Sequence, residues 1–182
     1  MHATIDRSAA NGPGLRFVIW TQGCSLDCFG CFNPETHRTG GRAVSTHEVV
    51  EQVLKVEGIE GVTISGGEPL EQPLQLIEFL REIRQRSGIG IVLLTGFSVA
   101  EIQGDPARLK AAALADMVIA GRYNARLHLG TALRGSSNKE YWAITPRYSA
   151  EDFETVPEAE VVIATDGTIM VTGMHAWQGA QT

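Results

Sequence analysis

Cys24, Cys28 and Cys31 are the only cysteines in the 182-residue chain. An odd number of thiols crowded into one short segment is the wrong pattern for a disulfide framework and the right one for a metal or cluster site. Soft thiolates at close spacing select zinc or iron-sulfur centres over oxygen-liking ions. Three ligands leave one position unfilled. A structural zinc site closes its fourth position, and His37 is the residue that would complete a Cys3His set. A 4Fe-4S cluster on three cysteines instead leaves its fourth iron open to an outside ligand. The gaps of CxxxCxxC differ from zinc knuckles and ribbons, which usually pair CxxC units.

The second segment with chemical content is Gly66-Gly67-Glu68-Pro69. A tetrapeptide of this kind is by itself an ordinary turn. Its setting gives it weight, because a predicted strand over Val62, Thr63 and Ile64 precedes it and a predicted helix beginning near Pro73 follows. Ligands of open α/β sheets collect beyond the carboxyl ends of the strands. Two glycines there let the backbone come close to a ligand with its N–H and C=O groups uncovered. Glu68 has acid or base chemistry available, yet its place suits ordering the loop.

These segments need elements to hold them. Arg16 to Trp20 reads as a short buried strand feeding the loop from Thr21 to about Arg42, which is long enough to be functional. Ser45 and Glu48 form a capping box for a helix with Val49, Val50, Val53 and Leu54 on its apolar stripe. Leu76, Leu80 and Ile83 recur at helical spacing before Gly88. Ile89 to Thr95 is an apolar run of the buried parallel-strand kind. Asp105-Pro106 opens a helix to about Leu114, and Met117 to Ala120 is the next strand. Strands alternating with helices predict an α/β fold with a parallel sheet.

After Gly121 the pattern becomes polar, with Arg122, Arg126, His128, Arg134 and Lys139 forming a basic stretch in an acidic chain. Such a stretch is either a solvated face or a contact for substrate or partner. Tyr141 to Ile144 reads as a strand. Glu160 to Ala164 and Thr168 to Thr172 flank Asp166-Gly167, a hairpin signal, taken as an added edge hairpin and not a second domain. The length predicts a single domain over 1–182, with a core of about 11–145 and a C-terminal extension of about 146–182. The net charge of −6 argues against a nucleic-acid partner. No apolar run reaches membrane-spanning length and no secretory signal is visible, so a cytoplasmic protein without a membrane partner is expected. His2, His47 and His175 have no neighbours in sequence that make a ligand set.

The stretch from Gly23 to Cys31 resembles the signature of the radical S-adenosylmethionine superfamily. The resemblance implies one 4Fe-4S cluster on Cys24, Cys28 and Cys31, whose open iron chelates the amino and carboxylate groups of S-adenosylmethionine. It also implies reductive cleavage of that cofactor to methionine and a 5'-deoxyadenosyl radical. Gly66, Gly67, Glu68 and Pro69 then bind the methionine amino group, with Phe32, Thr95, Ser136 and Asn138 as further cofactor contacts. Ser136 and Asn138 are equally at home in ordinary turn chemistry. The superfamily often has an aromatic residue where this chain has Gly30, and Phe29 or Phe32 takes that place.

Gly12-Pro13-Gly14-Leu15-Arg16 resembles the opening of glycyl-radical-enzyme activases. Cys31-Phe32-Asn33, Leu94-Thr95-Gly96-Phe97 and Arg134-Gly135-Ser136-Ser137-Asn138 resemble the activating component of anaerobic ribonucleoside-triphosphate reductase. Ala120 and Lys139 depart from that subfamily, which commonly has an acidic residue and Gln there. The implied fold is a partial, open βα barrel of the radical S-adenosylmethionine type with a C-terminal β-hairpin extension, since a full eight-unit barrel takes about 250 residues. The implied activity is hydrogen abstraction from a glycine Cα of a glycyl radical enzyme, with flavodoxin or ferredoxin as electron donor. If the open side of the barrel docks that protein, the segment Gly121 to Lys139 lies at its rim and Arg126 and Arg134 are the candidates to meet acidic groups. Two other readings stand beside it: the same radical chemistry on a small molecule or peptide, and a non-catalytic iron-sulfur binding or electron-transfer module. The Gly66–Pro69 segment argues against the last.

Overall fold

The structure is a computed structural model, and it describes residues 1–163, 167 and 169–174. Strands β1 (Ala3–Ser8) and β2 (Arg16–Thr21) pair antiparallel. The cysteine loop then leads through α1 (Thr46–Lys55) to β3 (Gly61–Gly66), α2 (Pro73–Arg86) and β4 (Gly90–Leu94). The short α3 (Val99–Gln103) and α4 (Pro106–Ala112) connect to β5 (Met117–Ala120). A small ladder of β6 (His128–Leu129) and β7 (Gly135–Ser136) precedes β8 (Glu140–Ala143). The chain continues through α5 (Glu151–Glu154), β9 (Ala159–Ile163) and β10 (Ile169–Gly173).

The main sheet runs β1-β2-β3-β4-β5-β8, with β2 to β5 parallel and an antiparallel strand at each edge. Each parallel strand is joined to the next by helix, as alternating periodicity requires. Phe17, Ile19, Val62, Ile64, Ile91 and Leu93 face the helices and pack on Val50, Val53, Leu80, Ile83 and Ala111. The alternate residues Val92, Leu94, Met117 and Ile119 point to the other face, where Leu133, Phe153 and Val156 cover them. Burial on both faces is why these strands read as continuous apolar runs.

The sheet ends at β1 and β8 and does not close. The barrel expectation is therefore met as far as an open, largely parallel α/β sheet. The Ser45 cap is present, accepting from Glu48 N at 3.1 Å, while the reciprocal capping box occurs at Ser98 and Glu101 instead. β1 was not expected from sequence.

The hairpin expectation needs a correction. β9 and β10 do pair antiparallel, but among the described residues only with each other. Among the described residues neither strand pairs with β1 or β8, and the hairpin is tethered to the β1 side by side chains. Glu160 Oε2 accepts from Ser8 Oγ at 2.6 Å and from Ala9 N at 3.1 Å, and Asn11 Nδ2 donates to Thr172 Oγ1 at 2.8 Å. Ala164, Asp166, Thr168 and His175 lie outside the described residues.

Candidate functional site

Parallel register places the carboxyl ends of β2 and β3 side by side, with Thr21 opposite Gly66. The cysteine loop and the Gly66–Pro69 turn therefore leave the sheet as neighbours. The cysteine loop closes on itself: Gly23 N donates to Thr36 O at 2.8 Å, Cys24 N to His37 O at 3.3 Å and Cys31 N to Cys28 O at 3.1 Å. Gly30 has φ +73°, a conformation strained for an aromatic residue, which explains glycine before the third cysteine. Phe29 is 89% exposed, so it does not pack into the site. Phe32 does line it, packed against Tyr123 with ring centroids 4.7 Å apart and planes tilted by 49°.

The turn after β3 binds the cysteine loop directly. Gly67 N donates to Thr21 O at 2.9 Å and Glu68 N to Gly23 O at 2.8 Å. A β-carbon on Gly67 would overlap the Gly23 carbonyl, and one on Gly66 would overlap the Thr21 amide. The close approach that glycine permits here is to the backbone immediately before Cys24, a protein contact that sequence reasoning did not foresee. Ser25 N donates to Glu71 Oε1 at 3.1 Å, locking the two segments again.

Glu68 is buried, and both its oxygens are engaged. Oε1 accepts from Thr95 Oγ1 at 2.7 Å and Leu70 N at 2.9 Å, while Oε2 accepts from Gly96 N at 2.7 Å. Burial pushes its pKa up, against the pull of these donors. The carboxylate ties the loop after β3 to the loop after β4. Pro69 is buried at the first position of the short helical turn that follows.

A cavity of about 350 Å³ opens between these loops. Cys24, Cys28, Cys31, Gly66, Gly67, Glu68, Thr95 and Phe32 all line it. Ser136 and Asn138 do not. Ser136 Oγ is buried and accepts from Asn124 N at 3.2 Å, and Asn138 Nδ2 donates to Arg122 O at 2.9 Å, so both order the Arg122–Asn124 turn. Arg134 is drawn inward over the Tyr141 ring, 5.3 Å from its centroid, and among the described residues its buried Nε has no partner. It lines the cavity wall, whereas Arg126 is exposed beside Phe29. Sequence reasoning missed that Asn11, Trp20 and Tyr123 line the cavity, as do Met170, Thr172 and Met174 around the hairpin. No local motif marks them.

The three thiols are free and partly exposed to the cavity. Burial pushes the Cys24 and Cys31 thiols above their ordinary values, and Glu68 and Glu71 add to this at Cys24 and Glu35 at Cys31. Thiolates at such positions need a cationic centre to stabilise them. Tetrahedral zinc, with Zn–S bonds of about 2.3 Å, would draw its sulfurs to roughly 3.8 Å from each other. Among the described residues the three sulfurs, with or without His37, do not all come within 4.8 Å of one another, a spacing met only by His47, Glu51 and Glu82. What the structure brings together is three free thiols on one cavity, a soft-metal donor set. His37 instead places Nδ1 3.4 Å from Asp27 Oδ1. At His47, Glu51 and Glu82, Arg86 Nη1 already lies 2.5 Å from Glu51 Oε1 and 2.8 Å from Glu82 Oε1.

Comparison with known proteins agrees with this donor set. Residues 10–142 match the family described as a 4Fe-4S single cluster domain. The chain is 36% identical over 91 residues to a pyruvate formate-lyase-activating enzyme of Staphylococcus epidermidis, covering 46% of this chain and 36% of that protein. It is 40% identical over 85 residues to the enzyme of the same name from Listeria monocytogenes serovar 1/2a, covering 43% of this chain and 34% of the relative. The matched stretch thus spans about a third of these relatives' length. With the match running through both the cysteine loop and the Gly66–Pro69 turn, the chain belongs to the 4Fe-4S single cluster domain family.

Proposed function

We propose that this protein is a radical S-adenosylmethionine enzyme that generates a glycyl radical on a partner protein. The observation that carries the reading is the joining of Gly67 and Glu68 to the cysteine loop through the 2.9 Å and 2.8 Å backbone bonds, which sets a cofactor-binding turn against the three thiols in one cavity. Cys24, Cys28 and Cys31 would hold the 4Fe-4S cluster. Bound there, the cluster supplies the electron that cleaves S-adenosylmethionine to methionine and a 5'-deoxyadenosyl radical.

The chain's own residues bind, orient and exclude water. The Gly66–Pro69 backbone offers carbonyls to the methionine amino group, and Glu68 fixes that turn through Thr95 and Gly96. Phe32 and Tyr123 provide an aromatic wall suited to an adenine ring. The hairpin residues Met170, Thr172 and Met174 cover one side. A radical must be kept from solvent, and an inserted partner loop would complete the enclosure.

A glycyl radical enzyme as substrate is supported by the likeness to two activating enzymes, and an anaerobic reductase-like partner by the Arg134–Asn138 segment. Flavodoxin or ferredoxin is the fitting donor. Among the described residues no helix is long and apolar enough to cross a membrane. Three free thiols suit the reducing cytoplasm. The partial-barrel curvature belongs to the same reading.

The test is anaerobic reconstitution, followed by incubation with reductant, S-adenosylmethionine and either an anaerobic reductase or a pyruvate formate-lyase-type partner. The expected result is 5'-deoxyadenosine together with a glycyl radical signal in electron paramagnetic resonance. Cofactor cleavage without a radical on either partner would move the reading to a small molecule or peptide, and no cleavage at all would leave an electron-transfer module.

A further inference from the structure

Arg134 and Lys139 are the residues of the basic stretch that line the cavity, and among the described residues neither forms an ion pair. Lys139 lines the same wall as the three cysteines and Glu68. Burial pushes the Lys139 pKa down, Glu68, Cys28 and Cys31 pull it up, and Lys139 in turn favours the Cys31 thiolate. Arg122 also feels Cys28 and Glu68, but Glu101 Oε2 meets its guanidinium at 2.6 Å. Arg134 is turned toward the Tyr141 ring, and Lys139, not Arg134, is the cation that acts on Cys31. Position is secured by the backbone, where Lys139 N donates to Ser136 O at 3.2 Å and Lys139 Cα lies against Gly121.

We propose that Lys139 is a redox-tuning residue, whose positive charge in the cysteine cavity raises the reduction potential of the cluster held there. The physical basis is charge. Three thiolates and Glu68 make the site anionic, and one-electron reduction adds a further negative charge. A fixed cation in a partly desolvated cavity stabilises the reduced form more than the oxidised one. The electron comes from an external one-electron donor, and Lys139 neither gains nor loses a proton in the step.

This inference rests on the cluster reading above, so the experiment separates the two. Iron and sulfide content of the wild-type protein comes first, and the absence of a cluster would sink both. With the cluster present, its midpoint is measured by dye-mediated titration followed by electron paramagnetic resonance, without S-adenosylmethionine. Lys139→Gln should hold full iron and show a lower midpoint, by about tenfold in the reduction equilibrium or about 59 mV for one electron. Lys139→Arg should keep the wild-type midpoint. Lys139→Met repeats the measurement without a polar group should the glutamine variant load poorly. An unchanged midpoint in a fully loaded neutral variant overturns the inference and leaves the functional reading intact. Unchanged midpoint with weakened S-adenosylmethionine binding by calorimetry overturns it equally and reassigns the charge to the cofactor's carboxylate.

Discussion

Arg16 Nη1 donates to Tyr148 Oη at 2.7 Å, joining the first parallel strand to the segment that follows β8. Arg16 is fully buried at the amino end of the sheet, opposite the cysteine cavity, and its other bonds go to Thr63 Oγ1, Pro13 O, Val62 O and Gly90 O. Burial lowers its pKa, and among the described residues no carboxylate pairs with it. Glycines at 61 and 90 make the slot, since a β-carbon on either would overlap Arg16 or Tyr148.

Tyr148→Phe should therefore cost about 1–2 kcal/mol, the effect of leaving a buried donor short of an acceptor. Truncation after Thr145 should do far more, because it also strips Phe153 and Val156 from Val92, Met117 and Ile119. Urea unfolding followed by circular dichroism checks both, and a truncated chain as stable as the whole would show that the extension is not part of one folding unit.

Replacing any one of Cys24, Cys28 or Cys31 with Ala should reduce bound iron to a small fraction of the wild-type content after anaerobic reconstitution, and abolish 5'-deoxyadenosine formation. Iron and sulfide assays with visible absorption read the outcome. Zinc bound in place of iron in anaerobically isolated protein would contradict the assignment.

Gly67→Ala should disturb the cysteine loop as well as cofactor binding, because the added methyl meets the Gly23 carbonyl. A loss of about 1–3 kcal/mol in stability is the expected scale for forced overpacking. Cluster retention should fall with it. Weakened S-adenosylmethionine binding with a fully retained cluster and unchanged melting would mean that Gly67 serves the ligand alone.

Asp116 links β4, α2 and the chain after β8. Its Oδ2 accepts from Ile91 N at 2.8 Å and lies 3.0 Å from Arg84 Nη2, and its Oδ1 accepts from Thr145 Oγ1 at 2.7 Å. Burial opposes its charge, yet the bonds from Thr145, Arg84 and Ile91 together hold its pKa below the ordinary value. A depressed folded-state pKa contributes stability that is present above the unfolded value and lost as pH falls through the folded one. Asp116→Asn should lower stability at neutral pH and flatten the acid limb of the stability curve. Urea midpoints taken from neutral to strongly acidic pH test this, and parallel wild-type and variant curves would refute it.

The cysteine triplet, the turn after β3 and the parallel strands were legible in the sequence because each is written in contiguous residues. Thiol spacing selects a soft metal centre, paired glycines mark close backbone approach, and apolar runs mark strands buried on both faces. Even Gly30 and Lys139 stood out as departures, though not for the backbone conformation of the one or the cavity position of the other. Tertiary structure alone decided that Gly67 meets Gly23, that Glu68 is consumed by Thr95 and Gly96, and that Ser136 and Asn138 brace a turn outside the cavity. It also decided that the β9–β10 hairpin walls the cavity and that Arg16 is sealed by Tyr148. The reason is that such contacts join residues far apart in the chain, and strand register and packing decide which of them meet. Local propensity carries no record of either.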